Sequence, residues 1–225
     1  MTRSRTRRGF TLIELMVVVV IVGVVAAMSI ALFGRQRQRQ QVDQFALEMR
    51  ALLVGARQVA MSTGTPVALL VFPNFVTPTG TGRLILYRDG NFSFFSAAAP
   101  INLEDLDAAA PVADTRSEVL ETIDLADGLV IGPATGQGPA AVMPAPFNGI
   151  AINSACPFCT GAAGLGAMVF MPNGSVTFQD RNGPPLALPQ GASISVTKPE
   201  SQEIRTITVA ASTGAMLTLK WNPTP

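Results

Sequence analysis

Residues Arg7-Arg8-Gly9-Phe10-Thr11-Leu12-Ile13-Glu14-Leu15 run directly into an apolar segment that ends at Phe33, and this junction decides how the chain is read. Arg3, Arg5, Arg7 and Arg8 form a short basic leader, glycine closes it, and one carboxylate stands near the start of a membrane-length run. A conventional secretory signal carries its small-residue cleavage site after the apolar region, so that region is discarded. Here the cleavage-like Gly9 lies before it, so the apolar segment would survive a cut there. Phe10 to Phe33 is 24 residues, roughly 36 Å as a helix against a hydrocarbon core of about 30 Å. It is long enough to span. Glu14 is the only charge between Gly9 and Gly34; a carboxylate in a membrane helix costs a few kcal/mol at the bilayer centre, so it calls for a partner and a role.

The helical pattern does not stop at the apolar run. No proline occurs between Met1 and Thr65, and Val42, Phe45, Ala46, Met49, Leu52, Leu53, Ala56, Val59 and Ala60 recur at spacings of three and four. Such spacing marks one face of an amphipathic helix. The prediction is one helix from Phe10 to about Ser62, ended by Thr63-Gly64-Thr65-Pro66, with glycine suited to the C-terminus and proline unable to continue it. Residues 34–63 form its amphipathic continuation.

Beyond residue 64 the period changes to that of strands. Val67 to Phe72, Arg83 to Tyr87, Phe92 to Phe95, Glu118 to Leu125, Leu129 to Ile131, Ala167 to Phe170, Ser175 to Gln179, Ser193 to Thr197, Arg205 to Ala210 and Ala215 to Trp221 are β-branched or aromatic runs between turn signals. Asp89-Gly90-Asn91 and Asn173-Gly174 read as hairpin turns. Segments 96–117 and 132–166 hold most of the irregular Ala, Pro and Gly and read as long surface loops. The expected fold class is α+β: a long N-terminal helix packed on an antiparallel β-rich domain of two sheets, 64–225. Removing nine leader residues from 225 leaves 216, and 192 lie beyond Phe33, enough for one ordinary domain.

The N-terminal residues resemble the prepilin motif of type IV pilins and type II secretion pseudopilins. The resemblance implies that residues 1–9 are a leader, that a dedicated prepilin peptidase cuts between Gly9 and Phe10, and that the new terminal Phe10 is N-methylated. It implies that 10–33 is both membrane anchor and polymerisation helix, and that Glu14 meets the terminal amine of a neighbouring subunit to set axial register. It also implies a single-pass protein of the bacterial inner membrane, its globular domain periplasmic, that passes into a pilus or pseudopilus. Its partners would be other pilins, the peptidase, an inner-membrane assembly platform and, before assembly, lipid. Val169-Phe170-Met171-Pro172-Asn173-Gly174-Ser175, Ile194-Ser195-Val196, Arg205-Thr206-Ile207-Thr208-Val209 and Ser212-Thr213-Gly214 are similar to the hairpin and closing strands of the GspH/FimT family of minor pilins and pseudopilins. Many filament-forming pilins carry a proline where Ala31 stands, so local melting of the helix there is not expected. Gly23, Ala26 and Ala27 are small enough for close helix approach, or are simply tolerated in lipid.

Cys156 and Cys159 form Cys-Pro-Phe-Cys inside a Gly/Ala loop. A structural disulfide, free thiols, a redox pair and a metal site are all open, the first favoured by an oxidising compartment and by two cysteines with none left over. With no histidine and no third cysteine, a zinc site lacks ligands. Thr160 to Gly164 is a poor helix start, against a thioredoxin-like context. Glu104, Asp105, Asp107, Asp114, Glu118, Glu121, Asp124 and Asp127 make an acidic region that reads as a solvated loop face, with calcium as the alternative; no EF-hand pattern is present. Gly161 to Gly166 and Gly132 to Gly138 lack the spacing and lysine of a phosphate loop.

Zero histidines and two lysines remove the usual nucleophile and base constellations, so neither an enzyme nor a cofactor is expected. The competing readings are a DNA-binding minor pilin for DNA uptake and a membrane-anchored thiol-disulfide enzyme on Cys156 and Cys159. From residue 41 onward there are 9 basic and 14 acidic residues, which gives no reason to expect nucleic acid. Arg181, Lys198, Arg205 and Lys220 are scattered in sequence, although folding can gather them.

Overall fold

The computed structural model describes residues 12–78, 80–90, 117–126, 128–132, 143–150, 156–160, 164–181, 185–199 and 203–221. Backbone contacts divide the chain into two units at Gln40/Gln41, within the helix. In the first, α1 (Leu12–Thr63) begins as an apolar span, Leu12–Ser29, none of which is buried. The backbone stays helical through Ala31, as expected of a segment without proline.

In the second unit α1 ends where Thr63-Gly64 stops it. The Gly64 amide donates to the Ala60 carbonyl at 3.1 Å with Gly64 at φ 69°, a left-handed cap that a residue with a Cβ adopts only at a cost. Val42, Phe45, Met49, Leu53, Ala56 and Ala60 are buried along one face of this half, the stripe that the three-and-four spacing describes.

Nine strands follow: β1 (Val67–Thr77), β2 (Gly80–Arg88), β3 (Glu118–Asp124), β4 (Val130–Ile131), β5 (Gly166–Phe170), β6 (Val176–Asp180), β7 (Gly191–Lys198), β8 (Glu203–Ala210) and β9 (Met216–Trp221). They form two antiparallel sheets, β3-β2-β1-β5-β6 and β4-β7-β8-β9, so the fold is the α+β arrangement of an apolar helix and a two-sheet domain. Alternation sorts the side chains. In β1, Val67, Leu69 and Val71 join the helix stripe and Ile194, Val196, Ile207 and Val209 of the second sheet in the main core. Ala68, Leu70 and Phe72 face the other way, with Ile85, Tyr87, Ala167 and Val169. Burial of both faces is why Val67 to Phe72 reads as an unbroken apolar run. On the outer face of β7 and β8 the buried hydroxyls find partners: Ser195 and Thr206 share a 2.7 Å hydrogen bond, and Thr197 donates to the Glu203 carbonyl.

The β5–β6 hairpin is wider than two residues. Phe170 pairs with Val176 across Met171–Ser175, and the Gly174 amide donates to the Met171 carbonyl at φ 82°. β1 runs five residues past Phe72, to Thr77, and β2 starts at Gly80. The expected strand Phe92 to Phe95, the turn at Asn91 and the loop 96–116 lie outside the described residues.

Candidate functional site

At the membrane end of α1, Glu14 occupies the first described turn. It is the only ionisable group in the Leu12–Ser29 span, and an acid there is favoured by the helix dipole. Leu12, Ile13, Leu15 and Met16 around it are exposed, so this end of the helix offers an apolar surface carrying one carboxylate. An added Cβ on Gly23 would meet nothing within 4 Å, leaving that face open. Ser29 Oγ donates back to the Val25 carbonyl at 2.8 Å, which spares a hydroxyl from needing water. Gly9 and Phe10, the expected processing junction, lie outside the described residues.

In the second unit the cationic side chains gather on the start of the amphipathic helix. Arg205 Nε in β8 donates to Asp43 Oδ1 at 2.6 Å, and its Nη1 reaches Glu203 Oε2 at 3.1 Å. Lys220 of β9 lies 3.2 Å from the same Asp43 oxygen, and Lys198 of β7 donates to Gln41 Oε1 at 3.0 Å. The Arg205 hydrogen bond, with Lys220 assisting against desolvation, holds the Asp43 carboxyl below its ordinary range. Burial works against the Arg205 charge, but Asp43 and Glu203 overcome it and the guanidinium is held more firmly protonated. Three of the four scattered basic residues thus converge on Gln41 and Asp43 of α1. Asp43 was not singled out from the sequence, because its partner is 162 residues away.

A second pair fixes the edge of the first sheet. Arg83 bonds both carboxylate oxygens of Asp124, at 2.6 and 2.9 Å, and stacks 4.5 Å over the Phe75 ring. The bidentate bond lowers the Asp124 carboxyl from its ordinary value. Glu118 pairs with Arg88 at 3.0 Å. These acids of the expected acidic region belong to strand β3, while Glu104, Asp105, Asp107, Asp114 and Asp127 lie outside the described residues. Among the described residues no group of three or more acids or cysteines is placed to hold a metal.

The structure joins Cys156 and Cys159 by a disulfide, Cα atoms 5.2 Å apart. The loop it closes drives Phe158 into the main core, fully buried, with its ring centroid 5.5 Å from that of Phe178. Gly166 lets the loop approach: a Cβ there would sit 2.6 Å from the Phe158 carbonyl oxygen. After the pair comes a Thr160–Leu165 bridge and then β5, a strand where a thioredoxin-like site needs a helix. The Phe158 plug was missed in the sequence, although an aromatic between two closely spaced cysteines is a usable signal.

Residues 4–30 match the family model of the prokaryotic N-terminal methylation motif. That match supports a place in the type IV pilin and pseudopilin superfamily; it implies processing by a prepilin peptidase and assembly with other pilins, and it indicates a structural protein. The motif and the exposed apolar helix together fit a membrane-anchored chain. No curated protein and no solved structure matches the sequence.

Proposed function

We propose that the chain is a minor pilin or pseudopilin of the GspH/FimT type, cut between Gly9 and Phe10, N-methylated on Phe10, and assembled from the inner membrane into a type IV pilus or secretion pseudopilus. The observation that carries this reading is the methylation motif running into an unburied apolar helix whose first turn holds one carboxylate. Cleavage creates an α-amine four residues, about 6 Å along a helix, from Glu14. Glu14 of one subunit then pairs with the Phe10 amine of the next, an ion pair that lipid makes worth forming and that fixes the axial step. Leaving lipid is offset by packing against other pilin helices, so anchor and polymerisation surface are the same residues.

The second unit is the periplasmic payload on this account. Its Cys156–Cys159 bridge is structural, shaping the Phe158 loop, which disfavours a thiol-disulfide enzyme, and three of its cations, Lys198, Arg205 and Lys220, are engaged within the fold, which disfavours a DNA receptor. No nucleotide loop is read in the sequence, and the energy of assembly is assigned to a separate cytoplasmic ATPase. The test is Glu14→Ala in cells that build the filament. The variant should stay in the inner membrane yet be recovered at a small fraction of the normal level with sheared filaments; unchanged incorporation would remove the register role.

A further inference from the structure

Four charged side chains in the second unit take part in no ion pair or hydrogen bond among the described residues: Glu48, Arg50, Arg57 and Glu121. The other charges of β1–β3 and β7–β9 are engaged, as Arg83 with Asp124 and Arg205 with Asp43 show. The four unengaged ones are sorted by sign onto opposite flanks of α1.

On one flank, Arg50, Val54, Arg57 and Met61 line a groove of about 550 Å³ against the β8–β9 turn at Gly214 to Met216. Arg57 Nε is buried there without an acceptor. Gly214, at φ 61°, closes tightly on it, since a Cβ at this position would lie 2.9 Å from that nitrogen. A guanidinium nitrogen held out of water with no acceptor is costly unless a carboxylate supplies one. On the other flank, Glu48, Leu52, Gly55 and Val59 face Leu86, Leu120 and Glu121 across a groove of about 420 Å³. At 3.6 residues per turn, Glu48 and Arg57 point roughly half a turn apart. Leu47 continues the groove-lining Val54 and Met61 along the helix, seven residues apart in succession, and the three stand 64%, 49% and 52% exposed, an apolar ridge along the rim of the arginine groove that carries no cover in the described structure.

A basic flank and an acidic flank on opposite sides of one helix cannot meet within one copy. They can meet between copies. We propose that the arginine groove of one copy receives Glu48 and Glu121 of a second copy of this chain, in a head-to-tail contact with the Leu47–Val54–Met61 ridge buried beside it. A contact between two different patches leaves one of each free on every pair, and so continues into an open helical array instead of closing as a dimer. The inference rests on the filament reading above and deepens it: it names the domain contact that would accompany the Glu14 register.

Charge reversal tests it with the full chain, produced alongside a prepilin peptidase and reconstituted in phosphatidylcholine vesicles, with association read by energy transfer between labelled copies. Arg50→Glu with Arg57→Glu, and Glu48→Arg with Glu121→Arg, should each weaken self-association about tenfold or more, since like charges are then apposed. An equal mixture of the two variants should recover it, because each contact between one variant and the other is again of opposite sign. Because Arg57 lies against Gly214, Arg50→Glu alone, at an exposed position, is run beside the pair; it should show the same loss and the same recovery at smaller size. Wild-type-like association of the variants, or a loss that mixing does not recover, would overturn the contact. The Gly9 cut is read by mass in the same samples: a cut chain without recovery leaves the filament reading standing and removes this contact, whereas an uncut chain removes the filament reading and leaves the contact to the mixing result.

Discussion

Arg205 Nε and Asp43 Oδ1 lie 2.6 Å apart, binding strand β8 to the helix turn where the second unit begins. The Arg205 side chain is only 5% exposed and its other carboxylate partner, Glu203, is 4% exposed. A buried pair is poor evidence of net stability, but removing one member leaves a charge stranded. Arg205→Met, which takes the guanidinium from both Glu203 and Asp43, should therefore destabilise the domain by about 3 kcal/mol. Asp43→Asn, which leaves Arg205 its Glu203 partner, should cost about 1–2 kcal/mol. Denaturant unfolding of the full chain in detergent, followed by near-ultraviolet circular dichroism, reads both; equal effects would contradict this ordering.

The same pair sets an acid limit. The carboxyls of Asp43 and Asp124 are held below their ordinary value of 3.8 by hydrogen bonds from Arg205 and Arg83. A group depressed on folding contributes stability that is present above its unfolded value and lost as pH falls through the folded one. Through these two groups stability should hold steady from neutral pH to about 5 and decline below about 4. Asp43→Asn together with Asp124→Asn should flatten that decline. An undiminished acid limb in the double variant would assign it to other groups.

The disulfide loop matters through the side chain it places. Loop-closure entropy for so short a ring is about 2 kcal/mol, so Cys156→Ser with Cys159→Ser should destabilise modestly and leave the fold intact. Phe158, fully buried against Phe178, should cost about 3–5 kcal/mol when cut to Ala. Masses with and without reductant should differ by about two protons. Efficient reduction of insulin disulfides by the full chain would instead support the thiol-disulfide enzyme.

Nucleic acid is disfavoured for a geometric reason that adds to the charge count. Lys198, Arg205 and Lys220 do come together, but onto Gln41 and Asp43. Affinity for duplex DNA scales with the phosphates that free cations can neutralise. Binding no better than micromolar is expected at physiological salt. Submicromolar binding that weakens steeply with salt and disappears on replacing Lys198 and Lys220 with Ala would reverse the choice.

The helix and the central strand were readable because each is governed by a local period: three-and-four spacing from Val42 to Ala60, a glycine cap, and the two-sided apolar run at Val67 to Phe72. β1 continues through Pro73-Asn74 to Thr77, past the expected end at Phe72. Up to Val71 the strand pairs on both sides, with β2 and β5; past Phe72 only the β2 pairing persists, and proline is tolerated where no neighbour asks for its missing N–H. The register shift between Phe72 and Val76 falls at that place. The Asp43 cluster and the Arg57 groove were not readable at all, since each depends on residues more than 150 positions apart meeting in space. Glu14 was legible because it breaks an otherwise apolar run.

The central claim is that the apolar helix is retained after a cut that precedes it. Intact mass and N-terminal sequencing of the chain extracted from membranes of cells that contain a prepilin peptidase test this directly. The account predicts a mature protein of 216 residues beginning at Phe10, with the added mass of one methyl group on its amine. A mature protein beginning beyond residue 25, or one that retains the Arg-rich leader in those cells, would contradict it.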